Sequence, residues 1–208
     1  RLILETEVLA ATLDIHSPEE AEKFVQEVLW RAYFKGWLQH RPLVWKRYRA
    51  ERDRWIQTLE DVSSLRTRYE KAVRGQTGIP CLDAWATELI DTGYLHNHTR
   101  MWFASLWIFT LELPWELGAD FFLRHLLDAD PASNTLSWRW VGGLHTPGKT
   151  YLARPDNIER CTQGRFRPGA EIATTAPPLS EPPIGSIVSL RPADRLEPNA
   201  PYALLITE

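Results

Sequence analysis

Cysteine is scarce in this chain of 208 residues: only Cys81 and Cys161 occur. They lie far apart and without metal-ligand spacing, which excludes a disulfide framework and leaves no metal site to expect. Two idle thiols fit a reducing compartment, so a cytoplasmic location is expected. Long apolar runs are lacking too. Arg100 and Glu112 bound the most apolar helix, and no signal peptide is visible, so a membrane is not an expected partner. No internal repeat is present. Neither sign of charge dominates, with 24 Lys and Arg against 27 Asp and Glu, and this excludes a general polyanion binder. An initiating methionine is absent at Arg1, and we read the chain as a piece of a longer protein.

What is abundant is unevenly placed. All ten tryptophans precede residue 141, and ten of the fifteen prolines follow it. A tryptophan-rich body and a proline-rich arm are therefore expected, divided at residues 1–143 and 144–208 of one domain. A domain of this length buries roughly 70% of its unfolded surface. Charge is segregated as well. Residues 1–30 hold seven acidic and two basic side chains, whereas residues 31–54 hold eight basic and two acidic. A local basic face compatible with DNA phosphates follows from the second stretch, although such runs are more often solvated helix faces.

Local signals predict helices. Ser17, Pro18 and Glu20 form an N-terminal cap signature, and the helix it opens should run to about Leu38. "LVWKRYRAERDRWIQTLEDV" reads as a second helix, with Tyr48, Trp55 and Leu59 near one stripe. "GIPCLDAWATELIDTG" places Leu82, Trp85, Ala86, Leu89 and Ile90 at helical spacing, stopped by Gly93. The stretch "GYLHNHTRMWFASLWIF" predicts a helix beginning near His96, with polar groups gathered where free N–H groups favour an anion. Pro114 breaks it, "WELGADFFLRHLLDAD" forms another, and Asp130-Pro131 begins a turn. Short connections between these segments predict an all-α fold. Beyond Gly143 helical periodicity disappears, and residues 181–208 hold a short strand or nothing regular, docked on the helical body.

From residue 75 to 140 the sequence resembles the FAD-binding helical domain of the DNA photolyase and cryptochrome family. The family's runs TGxPxxDAxxxxLxxTGxxHNRxRM and LxDxDxAxNxxxWxW match in length and order, and "EVLWR" at 27–31 fits its substrate-facing helix. The resemblance implies an all-α, multi-helix fold holding a folded FAD. It implies light-driven electron transfer that repairs pyrimidine dimers in DNA, as a deoxyribodipyrimidine photo-lyase does. The alternative is a cryptochrome-type photoreceptor that acts on a signalling partner and repairs nothing.

Particular residues take roles by the same resemblance. Arg100 and Asp128 occupy the places of an ion pair beside the flavin ring, Asp130 that of a carboxylate at its pyrimidine edge, and Asn134 that of the side chain facing N5. Without the motif, Asp130 reads as a turn residue and Asn134 as a cap. Glu27 and Trp30 match a lesion-contacting pair, one hydrogen-bonding and one stacking on an extruded base. Trp138 and Trp115 match the inner two members of a tryptophan chain that carries electrons from the surface. The outer position falls at Val62, which leaves Trp45, Trp55 and Trp107 as replacements.

The matches also contain departures. Asn97 takes the asparagine near substrate and flavin, but His98 stands where dimer photolyases carry a lesion-binding arginine. Asn97 and Met101 occupy the places of the paired histidines of (6-4) photolyases. Tyr151 and Arg154 match only loosely the tyrosine and arginine after the tryptophan pair. The family's antenna-pigment domain and serine-rich phosphate loop are expected upstream of Arg1, outside this sequence.

Overall fold

A computed structural model of the chain describes residues 3–190. Within the described residues nine α-helices carry the fold: α1 Glu5–Leu13, α2 Pro18–Gln39, α3 Pro42–Asp61, α4 Ser63–Val73, α5 Pro80–Thr92, α6 Asn97–Ser105, α7 Trp115–His125, α8 Pro131–Val141 and α9 Pro155–Cys161. Among the described residues no strand is present, so the all-α expectation holds.

The helix boundaries follow their chemistry. Ser17 Oγ accepts from the Glu20 N–H at 3.3 Å and Glu20 Oε2 accepts from the Ser17 N–H at 3.1 Å, which closes the capping box of α2. Pro42 does double duty as the stop of α2 and the first residue of α3. Gly93 ends α5 in the left-handed region, at φ 67°. A Cβ there would also come within 2.6 Å of the Leu127 side chain, so both conformation and space require glycine. His96 caps α6, its Nδ1 accepting from the His98 N–H at 3.2 Å. The apolar continuation of α6 widens into a π-helical segment, Leu106–Thr110, before Pro114.

The core gathers Leu82, Trp85 and Leu89 of α5, Phe103 of α6, Trp107 of the π segment, Phe121 and Phe122 of α7, and Trp138 of α8. Burying each such side chain stabilises the fold by about 1.5–3 kcal/mol. Ile90 leaves the expected stripe and is largely exposed, because the partners of α5 cover only the Leu82, Trp85, Ala86 and Leu89 side. Asp130-Pro131 opens helix α8 directly, with no intervening turn segment, since Asp130 satisfies its first N–H groups.

The described part of the arm after residue 143 contains one short helix, α9, which the loss of periodicity did not predict. Ala153, Ile158 and Ile172 join the main core. Its proline-rich part is irregular and docked by polar contacts. Leu179 N–H donates to the Gly142 carbonyl at 2.9 Å, Arg47 donates to the Pro182 carbonyl at 2.6 Å, and Val188 exchanges bonds with His40. The expected segment 181–208 has no regular structure to residue 190, and the remainder lies outside the described residues.

Candidate functional site

Helices α2, α6 and α8 and the loop before α8 converge on one cluster of charges. Arg100 Nη1 stands 3.1 Å from Asp128 Oδ2, and Arg100 Nε donates to the Leu95 carbonyl at 2.8 Å, so the guanidinium is fixed at both ends. The pair is open. The Asp128 side chain is 53% exposed and that of Arg100 is 25% exposed. From α2, Arg31 donates twice to the Asp128 backbone carbonyl, each bond 3.1 Å. Lys35, one turn further, lies 3.4 Å from Asp130 Oδ2 and also pairs with Glu5 of α1.

Asp130 has two tasks. Its Oδ1 accepts from the N–H groups of Ala132 at 3.1 Å and Ser133 at 2.9 Å, capping α8, while Oδ2 faces Lys35 and Arg31. Asn134 is buried, and its Nδ2 donates to the Ala119 carbonyl at 2.7 Å. That bond fixes the amide and leaves the side-chain oxygen as its acceptor end. Ser133 Oγ, between these two residues in sequence, is buried with no hydrogen-bond partner among the described residues.

The face of α2 beside this cluster is aromatic and open. Trp30 is 54% exposed, with Tyr33 at 5.5 Å edge-on and Phe34 at 6.0 Å. Glu27 is exposed one turn before Trp30. Neither belongs to the core, so packing does not account for that indole.

The start of α6 is assembled differently. Asn97 is exposed and Met101 half-buried. His98 stacks on Trp102 with ring centroids 4.4 Å apart, and its Nε2 lies 3.2 Å from the Tyr151 hydroxyl. Burial pushes the His98 pKa below its ordinary value, assisted by His96 and Arg160, so the imidazole is neutral near pH 7. Tyr151, matched only loosely in sequence, is thus the contact of His98. Arg154 instead pairs with Asp156, 2.9 Å away, at the exposed start of α9.

Trp138 and Trp115 are both buried. Trp138 lies against Gly118, one turn beyond Trp115 on α7, and touches Trp107 edge-on at 6.2 Å. Trp115 meets Tyr48 of α3 at 5.5 Å, and Tyr48 meets Trp45 at 5.2 Å. Arg139 lies over the Trp115 ring as well, its carbon Cζ 5.9 Å from the ring centroid. That guanidinium is buried and bonded through both terminal nitrogens to Glu181 of the arm.

Several of these residues escaped sequence reasoning. Arg31 and Lys35 were visible as an i, i+4 cationic pair whose target was not. Tyr48 carried the signal of a core aromatic. Arg139 and Glu181 carried none, being 42 residues apart across an irregular segment.

Comparison with known proteins bears on the same region. The family model described as the FAD binding domain of DNA photolyase matches residues 24–165. A deoxyribodipyrimidine photo-lyase of Streptomyces griseus is 36% identical over 150 residues, covering 66% of this chain and 31% of the relative. One of Thermus thermophilus is 37% identical over 134 residues, 64% of this chain and 31% of the relative. Another, of Alkalihalophilus pseudofirmus, is 32% identical over 148 residues, 70% and 29% respectively. The chain spans about a third of the length of the curated relatives it matches.

Proposed function

Because this chain belongs to the family of FAD-binding domains of DNA photolyase, we propose that it is the flavin- and lesion-binding part of an enzyme that repairs pyrimidine dimers with blue light. One observation carries the reading. The Arg100–Asp128 pair and the Asp130 cap stand at the start of α8, Asn134 is fixed one turn into that helix, and Arg31, which bonds the Asp128 carbonyl, is the chain neighbour of an exposed indole that packing does not require.

The residues present fit an FAD. Ser133 Oγ, at the first turn of α8, is buried and lacks a partner among the described residues. Three cations, Arg31, Lys35 and Arg100, line the cluster, each paired with Glu5, Asp128 or Asp130, and an anionic cofactor would share these donors with the carboxylates. Asp130 Oδ2 and the side-chain oxygen of Asn134 supply acceptors toward a heterocycle edge, and Arg31 and Lys35 supply charge toward phosphates. Asn134 is neutral, so it does not compete as a proton carrier with the group it faces. When bound, FAD supplies blue-light absorption and one-electron transfer.

The remaining steps belong to the protein. Glu27 and Trp30 share one helical face, where the carboxylate hydrogen-bonds a pyrimidine edge and the indole stacks on an extruded base. A lesion unstacks at lower cost than an intact pair, so the pocket selects it. Cations of α3, among them Lys46 and Arg49, face solvent and attract phosphates. Trp138 and Trp115 pass electrons inward.

His98 favours a second reading. A neutral histidine tied to Trp102 and Tyr151 offers a lesion less than a free cation would. That is what a photoreceptor without repair activity would tolerate, its partner being another macromolecule. Repair of dimer-containing DNA by the full-length protein under blue light separates the two. Light-dependent loss of dimers supports the enzyme, and tight flavin with no repair supports the receptor.

A further inference from the structure

Three indoles stood as replacements for the vacant outer position of the electron chain, and their surroundings differ. Trp55 lies under the Arg54 guanidinium, 4.4 Å from Cζ to ring centroid. Among the described residues no aromatic ring meets that of Trp55, so no file of rings joins it to Trp115. Trp107 is wholly buried, and among its ring neighbours the partly exposed one is Tyr69, edge-on at 6.1 Å. The Tyr69 hydroxyl accepts from Arg124 at 3.0 Å. A phenol must shed its proton to be oxidised at neutral pH, and that bond already receives a proton from a cation. This branch therefore ends badly for a positive hole.

The third branch has neither defect. Trp115, Tyr48 and Trp45 form a continuous file with centroids 5.5 Å and 5.2 Å apart, each successive pair tilted by only 33°. Trp45 reaches the surface as a half-buried side chain. Arg139 beside Trp115 does not block the path, because Glu181 neutralises it through two hydrogen bonds.

We infer that electrons enter this protein at Trp45 and reach Trp115 across the ring of Tyr48, which serves as a bridge. The inference rests on the proposed flavin chemistry. One electron leaves the Trp45 indole and fills the vacancy on Trp115. That vacancy arose when Trp115 replaced the electron that Trp138 gave to photoexcited oxidised FAD. Trp45 is left as an indole radical cation. An external thiol reduces it, or its ring N–H proton passes to water. Tyr48 is no stopping point, since its hydroxyl is buried without a hydrogen-bond partner among the described residues, and no base is bonded to it to take the proton. Burial raises its pKa in the same sense.

The test uses full-length, flavin-loaded protein without DNA, following indole-radical absorption after a blue flash. A prompt radical and a long-lived radical are expected in the wild type. Trp45→Phe and Tyr48→Leu should lose the long-lived phase and keep the prompt one. Tyr48→Phe, which preserves the ring, and Trp107→Phe should keep both. Survival of the long-lived phase in Trp45→Phe, or its loss in Trp107→Phe, overturns the route. Absence of even the prompt phase in flavin-loaded wild type overturns the flavin reading beneath it. A variant-free check is peptide mass spectrometry after prolonged light in aerated buffer, where dioxygen adds to the exposed indole radical. Oxygenated tryptophan should concentrate at Trp45, and its concentration at Trp55 or Trp107 instead contradicts the route.

Discussion

The indole of Trp138 rests on Gly118 so closely that a Cβ at that position would lie 2.3 Å from Trp138 Cη2 and 3.0 Å from Trp107 Cε2. Helix α7 thus sets the position of Trp138, and it also carries Trp115. Gly118→Ala gains up to ~1 kcal/mol of helix propensity but overpacks two buried indoles, which typically costs about 1–3 kcal/mol. A net loss of stability is expected, together with a shift of tryptophan emission. Thermal unfolding followed by fluorescence checks both, and a variant as stable as its parent means that α7 can move aside.

Asp128→Ala separates cofactor binding from folding. The ion pair with Arg100 is open to solvent, and exposed pairs contribute about 0–1 kcal/mol. Removal of Asp128 should therefore leave the flavin-free protein nearly as stable while sharply lowering flavin occupancy of the full-length protein. Unfolding midpoints and the flavin-to-protein absorbance ratio measure the two effects. Full occupancy in the variant would make the pair a surface salt bridge only.

Trp30 is exposed, and its ring neighbours among the described residues are Tyr33 and Phe34. Trp30→Ala should weaken binding to dimer-containing DNA by about 1–3 kcal/mol through lost base stacking. Unfolding temperature and affinity for undamaged DNA should change little. Fluorescence anisotropy on matched damaged and intact duplexes reads this difference, and equal loss on both would point to a general DNA contact.

Glu116 gives the fold a pH dependence. It is buried beside Trp115, and desolvation pushes its carboxyl up to about 7, reinforced by Glu51 and Glu181 and opposed by its own backbone N–H and by Arg54. The folded state therefore holds this proton more tightly than the unfolded chain. The contribution is fully present below the ordinary glutamate range and is lost as pH rises through about 7. Each tenfold difference in proton affinity carries ~1.4 kcal/mol. Glu116→Gln should match the parent at pH 4 and exceed it in stability at pH 8. Denaturant midpoints at the two pH values decide, and a constant difference would remove Glu116 as the cause.

Most helices were legible because their signals are local. Ser17, Pro18 and Glu20 announce α2, and Gly93 announces the end of α5, since capping needs only neighbouring residues. Helices α1 and α4 were missed, since neither Leu4 nor Val62 is a residue type that announces a cap. The motifs brought Arg100 and Asp128 into view as a pair, and the geometry joins them. What sequence could not show depends on distant segments meeting. The two bonds of Arg31 to the Asp128 carbonyl span 97 residues, and the contact of His98 with Tyr151 spans 53. Trp45 looked no better than Trp55 until their neighbours were known, because periodicity reports a face and not what covers it.

Quantifying pyrimidine dimers in DNA incubated with full-length, flavin-loaded protein, in blue light and in darkness, tests dimer repair most directly. Dimers should disappear in light, persist in darkness, and persist in light when Trp30→Ala replaces the wild type at low DNA concentration. Flavin-loaded wild-type protein that binds the damaged duplex and leaves its dimers intact under blue light would contradict repair and leave the photoreceptor reading in its place.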